Sequence, residues 1–115
     1  DLVIARAGAL TVSELSAVGL PSILIPYSHA TDNHQFYNAK FLVDKNAAEM
    51  ILDKDLKPEK LAQITKSFFL ETDKLKKASM AAYDETFVEA TEKISDYCMS
   101  ITEKGPYIVP TVSEL

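Results

Sequence analysis

A single cysteine, Cys98, stands in the 115-residue sequence. It has no partner for an internal disulfide, and a lone thiol fits a reducing cytosol. Long apolar runs are missing too. None approaches the roughly 18 residues needed to span a bilayer, which excludes an integral membrane protein built on such a helix. Positive charge is in deficit, with 12 basic residues against 17 acidic and a net charge of −5. A nucleic-acid binder shows the opposite balance. Glycine numbers only 3, far from a collagen-like repeat. There is neither a G-x-G-x-x-G nor a G-x-x-x-x-G-K-[ST] run, so dinucleotide and P-loop sites find no support. The opening Asp1-Leu2-Val3-Ile4 carries no methionine, no basic n-region and no cleavage pattern. It reads as a core strand entered abruptly, the expectation for a piece of a longer protein.

What is present is ordinary for one globular domain: hydrophobic residues are 47% and charged residues 25%. Leu2 to Ala5 form a short strand buried on both faces. Leu10, Val12, Leu15 and Val18 then place apolar groups at helical spacings across Thr11 to Val18. Thr11 and Glu14 have the capping-box spacing, Gly19 suits the helix end, and Pro21 forbids continuation. Ser22 to Pro26 are a second strand, and Tyr27 to Thr31 a polar loop. Asp32 or Asn33 caps a helix running to about Asp44, and Ala47 to Leu52 are a third strand. Strand, helix, strand, helix, strand predicts an α/β fold with a parallel sheet.

After Asp53 the pattern is helical. Pro58 sits at the first position of a helix facing inward through Leu61, Ile64 and Phe68; of Phe68-Phe69, one ring is expected in the core. Thr72 or Asp73 caps a helix with Leu75, Ala78 and Ala82. A last helix repeats Phe87, Ala90, Ile94, Tyr97 or Cys98, and Ile101, which assigns Cys98 to core packing. From Gly105 onward no period remains, so 105–115 reads as a loose tail.

Two segments carry polar groups to the ends of strands. Arg6 to Glu14 leaves the first strand, turns on Gly8 and Ala9, and enters a helix. Unpaired N–H groups there favour an anion such as a phosphate, with Leu10 and Thr11 in the first turn and the Thr11 hydroxyl as an added donor. Glu14 is placed to accept from two adjacent hydroxyls, as on a ribose. A purely structural reading competes, in which Thr11 and Glu14 form a capping box and Gly8 is only a turn. His29 to Asn38 leaves the second strand at the same edge, where open parallel sheets bind ligands. His34, Gln35 and Asn38 gather uncharged donors and acceptors suited to sugar hydroxyls. His29 and His34 alone do not complete a metal site. Ser13 lacks a G-x-S-x-G elbow and so is no hydrolase nucleophile.

The run Arg6-Ala7-Gly8-Ala9-x-Thr11-x-x-Glu14, followed by Gly19-Leu20-Pro21, Ile25-Pro26 and Asn33-His34-Gln35-x-x-Asn38-Ala39, closely resembles the bacterial peptidoglycan glycosyltransferases. Ala90 to Ile94 is similar to that family's closing helix, and the resemblance covers about residues 1–104. It implies two Rossmann-like domains with the active site between them. Residues 1–104 would be the later part of the C-terminal, donor-binding domain of a GT-B fold, ending in a helical segment, with 105–115 unassigned. Such enzymes move N-acetylglucosamine from UDP-N-acetylglucosamine onto undecaprenyl-pyrophosphoryl-N-acetylmuramoyl-pentapeptide, converting lipid I to lipid II in cell-wall synthesis.

By motif match, Ala9, Leu10 and Thr11 would lie at the diphosphate, with Gly8 letting the donor approach the backbone, Glu14 at the ribose, and His34 and Gln35 at the sugar, with Asn38 close by. The resemblance implies no metal, no cofactor and no nucleic acid. It places the parent enzyme in the cytoplasm, peripheral on the membrane, with acceptor binding and the catalytic base in an N-terminal domain absent here. Alone, the chain is expected to lack turnover and to self-associate through its unpaired first strand. The alternatives are the donor subunit of a related dolichol-linked N-acetylglucosamine transferase, which shares an Asp32-to-Gln35-like stretch, and a noncatalytic interaction module.

Overall fold

The computed structural model describes residues 1–29 and 33–104. The candidate cap Asp32 and the tail 105–115 lie outside the described residues. At the centre is β2 (Ser22–Leu24), paired in parallel with β1 (Val3–Ala5) on one side and β3 (Ala48–Met50) on the other. Ile23 lies opposite Ile4 and Glu49, and Leu24 opposite Ala5 and Met50. Every residue of β2 is buried, which is why Ser22-Ile23-Leu24-Ile25 shows no polar alternation. The strands are shorter than their apolar runs, but the pairing outlasts them. The Ile25 N–H donates to the Ala5 carbonyl at 2.9 Å and the Ile51 N–H to that of Leu24 at 3.0 Å.

The two crossovers carry α1 (Ala9–Val18) and α2 (His34–Val43) onto one face, where Val12, Leu15, Ala39 and Leu42 pack on Leu24, Ala47 and Ala48. The other face is covered by α3 (Pro58–Leu70) and α4 (Lys74–Ala82), whose Phe68 and Ala78 meet Ile23, Ile25 and Ile51. The two-residue period of a strand thus sends Leu24 one way and its neighbours the other. Full burial of each such side chain contributes about 1.5–3 kcal/mol. Phe68 is buried while Phe69 is 61% exposed, so one ring of the pair serves the core.

Helix ends depart from the sequence reading. Helix α1 starts at Ala9 with Gly8 as its extended N-cap, and the Val12 N–H donates to the Gly8 carbonyl at 3.0 Å. Thr11 is therefore inside the first turn, and no capping box with Glu14 forms. The chain leaves β1 already turning, and Ala9 and Leu10 are helix formers that propagate the turn backwards. Asn33 and Asp73 occupy the cap positions of α2 and α4, yet neither side chain makes a capping bond. Both have positive φ, 56° and 62°, whereas a capping side chain reaches the first-turn N–H groups from extended backbone. Gly19 does close α1 as expected, in the left-handed region at φ 70°.

The final helix, α5 (Glu85–Lys104), follows an Asx motif that the sequence reading passed over. Asp84 Oδ1 accepts from the Thr86 N–H at 3.0 Å and from its hydroxyl, while the Asp84 N–H donates to the Ser16 carbonyl at 2.9 Å, tying α5 to α1. The Thr86 bonds, aided by Lys45, hold the Asp84 carboxyl below its ordinary range. Near its start α5 packs through Phe87 on Phe41, ring centres 6.2 Å apart. Beyond that its apolar stripe emerges: Ile94, Tyr97 and Ile101 are exposed, and so is Cys98, which is not a core residue. Three-and-four spacing reveals an apolar stripe but not whether the same chain supplies its cover.

At the carboxyl edge of the sheet a charged clip joins all strands. Arg6, after β1, donates to the Ile25 carbonyl at 3.3 Å and to Asp53 Oδ1, after β3, at 2.6 Å. Asp53 Oδ2 accepts from the Ser28 N–H at 3.2 Å. The Arg6 hydrogen bond first, and then those of Ser28, hold the Asp53 carboxyl below its ordinary value.

Two outcomes follow for stability. A Cβ at Gly19 would lie 3.2 Å from both the Ser79 carbonyl oxygen and Tyr83 Cβ, on backbone that side chains disfavour. Gly19→Ala should therefore lower the unfolding free energy by about 1–3 kcal/mol, read from urea denaturation. A carboxyl whose pKa is lower in the folded than in the unfolded state stabilises the fold above the unfolded value, and that stability is lost as pH falls through the folded value. The difference in urea midpoint between the native chain and Asp53→Asn should be largest at neutral pH and close as pH drops below the ordinary carboxylate range; a constant difference would show that the charge is not what Arg6 grips.

Candidate functional site

Because all strands run the same way, Arg6 to Gly8, Pro26 to Ser28 and Leu52 to Asp53 emerge at one edge. The first-turn N–H groups of α1 receive no side-chain cap, and no acidic residue lies in that turn. Together they form a region of positive potential able to hold an anion. A Cβ added at Gly8 would meet only the Thr11 hydroxyl, at 3.9 Å, so the space in front of the turn is open on the protein side. Ser13, whose hydroxyl donates to the Ala9 carbonyl at 3.0 Å, is engaged inside the helix.

One turn further on, Thr11 and Glu14 line one cavity of about 430 Å³ with Val3, Leu15, Val18 and Leu20. It lies on the β1 side, where among the described residues no further strand pairs. Glu14 is exposed there, with its carboxylate available to hydroxyl donors.

From the second segment, Gln35 and Asn38 converge on the residue before Gly8. Gln35 Oε1 accepts from the Ala7 N–H at 3.1 Å and from the Tyr27 N–H at 2.9 Å. Asn38 Nδ2 donates to the Ala7 carbonyl at 3.0 Å. The structure therefore brings Gln35 and Asn38 onto the turn that holds Gly8, Ala9, Leu10 and Thr11, while Glu14 faces the cavity beyond. His34 is exposed at the start of α2, and His29 lies edge-on to Tyr27 at 5.5 Å. Among the described residues no three His, Cys, Asp or Glu side chains gather as a metal site would require.

Sequence reasoning missed the Arg6–Asp53 clip and its reach over the Tyr27 ring, 5.7 Å from the guanidinium carbon. Its only signal was opposite charge directly after two strands of one parallel sheet. A cavity of about 650 Å³ also opens beside this loop, walled by Tyr27, Phe36, Tyr37 and Leu52. Phe36 and Tyr37 sit inside a helical segment, where aromatics read as core rather than as a cavity wall.

Comparison with known proteins bears on the family and the fold. The chain is 46% identical over 107 residues to the UDP-N-acetylglucosamine--N-acetylmuramyl-(pentapeptide) pyrophosphoryl-undecaprenol N-acetylglucosamine transferase of Shewanella pealeana, a match covering 91% of this chain and 29% of that protein. The transferase of the same name from Shewanella baltica is 45% identical over 105 residues, with the same coverage. Among solved structures, the crystal structure of Acinetobacter baumannii MurG superposes with a TM-score of 0.66 at 31% identity, covering 83% of this chain and 28% of that one. The chain thus spans less than a third of the length of the curated relatives it matches. Its parallel sheet and flanking helices are those of the C-terminal domain of a GT-B enzyme. Residues 1–94, from β1 into α5, match the glycosyltransferase family 28 C-terminal domain, and the chain belongs to that family.

Proposed function

We propose that this chain is the donor-binding part of an inverting transferase that takes N-acetylglucosamine from UDP-N-acetylglucosamine and delivers it to lipid I, giving lipid II. The observation that carries the reading is the open, uncapped start of α1 beside the Thr11–Glu14 cavity, in a chain whose relatives bear that enzyme's name. The α1 N–H groups at Ala9, Leu10 and Thr11 take the diphosphate, Glu14 the ribose hydroxyls, and His34 with the Gln35 amide the sugar. In the reaction the acceptor hydroxyl attacks the anomeric carbon, its bond to the diphosphate oxygen breaks, and the electron pair leaves with UDP. Preorganised N–H groups aimed at that oxygen stabilise its growing charge. Acceptor and base belong to an N-terminal domain outside these residues, so the chain alone binds donor without turnover. The parent enzyme works on the cytoplasmic face of the membrane; among the described residues no helix is long and apolar enough to cross one.

Substitution of Glu14 tests this reading against a noncatalytic interaction module. If Glu14 does not support the helix end, Glu14→Ala should leave stability within about 0.5 kcal/mol, the range of ordinary surface changes. It should nevertheless weaken UDP-N-acetylglucosamine binding about tenfold, followed by amide shifts at Gly8 to Glu14; unchanged affinity would remove Glu14 from the ribose. The outer edge of β1, with Ile4 48% exposed, should also drive self-association of the isolated chain. Light scattering at rising concentration checks this, and a monodisperse folded monomer throughout would refute it.

A further inference from the structure

Two apolar surfaces stand exposed among the described residues, and their charges differ. On α5, Ile94, Tyr97 and Ile101 are exposed along a helix with five acidic residues and two lysines. The other surface is the corner where α3 turns into α4. Phe69 and Leu70, the last residues of α3, are 61% and 79% exposed. Phe68 faces the core, so Lys66 and Leu70, one turn apart, lie on the far side of the helix. Phe69 borders a cavity of about 430 Å³ together with Lys76 of α4, and Met80, one turn beyond Lys76, is exposed as well.

The charge at this corner runs against that of the whole chain. From Pro58 to Ala82 there are five lysines against three acidic residues, while the rest of the sequence has seven basic against fourteen acidic. Lys74 is spent on Glu49 and Glu71. Lys66 and Lys76 are exposed and form no ion pair among the described residues. Protein interfaces are depleted in lysine and favour arginine, and neither α3 nor α4 contains an arginine. Lysine stems instead lie along apolar material while their ammonium groups reach out to phosphates. Apolar side chains beside them sink into the acyl boundary of a bilayer whose headgroups are anionic. The acid-rich α5 meets the same headgroups with like charge.

We propose that the α3–α4 corner is a membrane-contact surface: Phe69 and Leu70 enter the interface of an anionic bilayer, and Lys66 and Lys76 bind its headgroup phosphates. Asp1 and Pro21 also border the Phe69 cavity, so the corner lies at the amino ends of β1 and β2, the edge opposite the start of α1. The contact is therefore separate from the candidate donor site and does not rest on the donor reading.

The test uses the full chain with vesicles of phosphatidylglycerol, and vesicles of zwitterionic phosphatidylcholine for comparison. The chain should sediment with the first and not with the second, and rising salt should release it. Lys66→Gln and Lys76→Gln should each weaken partitioning about fivefold, the effect of one lysine near such a surface. Phe69→Ser combined with Leu70→Ser should weaken it about tenfold. These side chains are all exposed, so circular dichroism should show every variant folded. The sequence has no tryptophan, which makes Phe69→Trp a single reporter whose emission should shift to the blue on phosphatidylglycerol.

No sedimentation with phosphatidylglycerol would overturn the proposal and leave the corner to a protein partner. Equal binding to both kinds of vesicle would overturn it by showing that headgroup charge plays no part. Binding that needs the lysines but neither Phe69 nor Leu70, with no emission shift, would do so by showing adsorption without entry. Loss on Tyr97→Ser, with the α3–α4 variants unaffected, would move the contact to α5.

Discussion

The rest of the molecule is placed by the burial of one short strand. β2 spends its hydrogen bonds on a neighbour at each side and its side chains on a helical layer above and below. A backbone with no access to water must find all of its partners within the protein, which fixes the register of β1 and β3 to within a residue. That register brings the loops after every strand to one edge. The helix starts that form the candidate site are consequences of this pairing, since only three residues separate β1 from α1 and α2 follows the loop leaving β2.

At that edge, polar groups of different kinds do different work. Arg6 and Asp53 are a charged tie between the outer strands, partly exposed and therefore modest in energy. The Gln35 and Asn38 amides sit half-buried and grip backbone. Glu14 faces a cavity with no such engagement. Gln35 and Asn38 spend part of their hydrogen-bonding capacity on backbone and so set geometry, while Glu14 keeps its carboxylate for a ligand.

The strand–helix alternation was legible because buried strands and amphipathic helices impose different apolar periods, and the boundaries at Gly19, Pro21 and Pro58 are dictated by backbone chemistry. The candidate site was legible as two segments, since small residues after a strand and polar residues opening a helix stand out locally. What could not be read was how side chains would be spent. Thr11 and Glu14 have the spacing of a capping box, but whether they form one depends on where the helix begins, and the backward extension to Ala9 decided it. Asn33 and Asp73 have the right chemistry for caps and the wrong φ. Cys98 lies on an apolar stripe whose far half finds no cover among the described residues. The Arg6–Asp53 clip joins positions 47 residues apart, a contact that exists only once the sheet has assembled.

The grip on Ala7 also has a chemical character of its own. Side-chain amides hold no proton that can be lost or gained at moderate pH, and they bring no formal charge to a place where a diphosphate would sit. A carboxylate in the position of Gln35 would accept the same two N–H groups but repel the ligand's phosphates, and an ammonium in the position of Asn38 would attract them whether or not the helix was correctly aimed. With neutral amides, the orientation of the turn is independent of its electrostatics. The geometry at Ala7 should therefore be the same at every pH at which the fold survives, even as the Asp53 carboxylate, held below its ordinary value by Arg6, changes its charge.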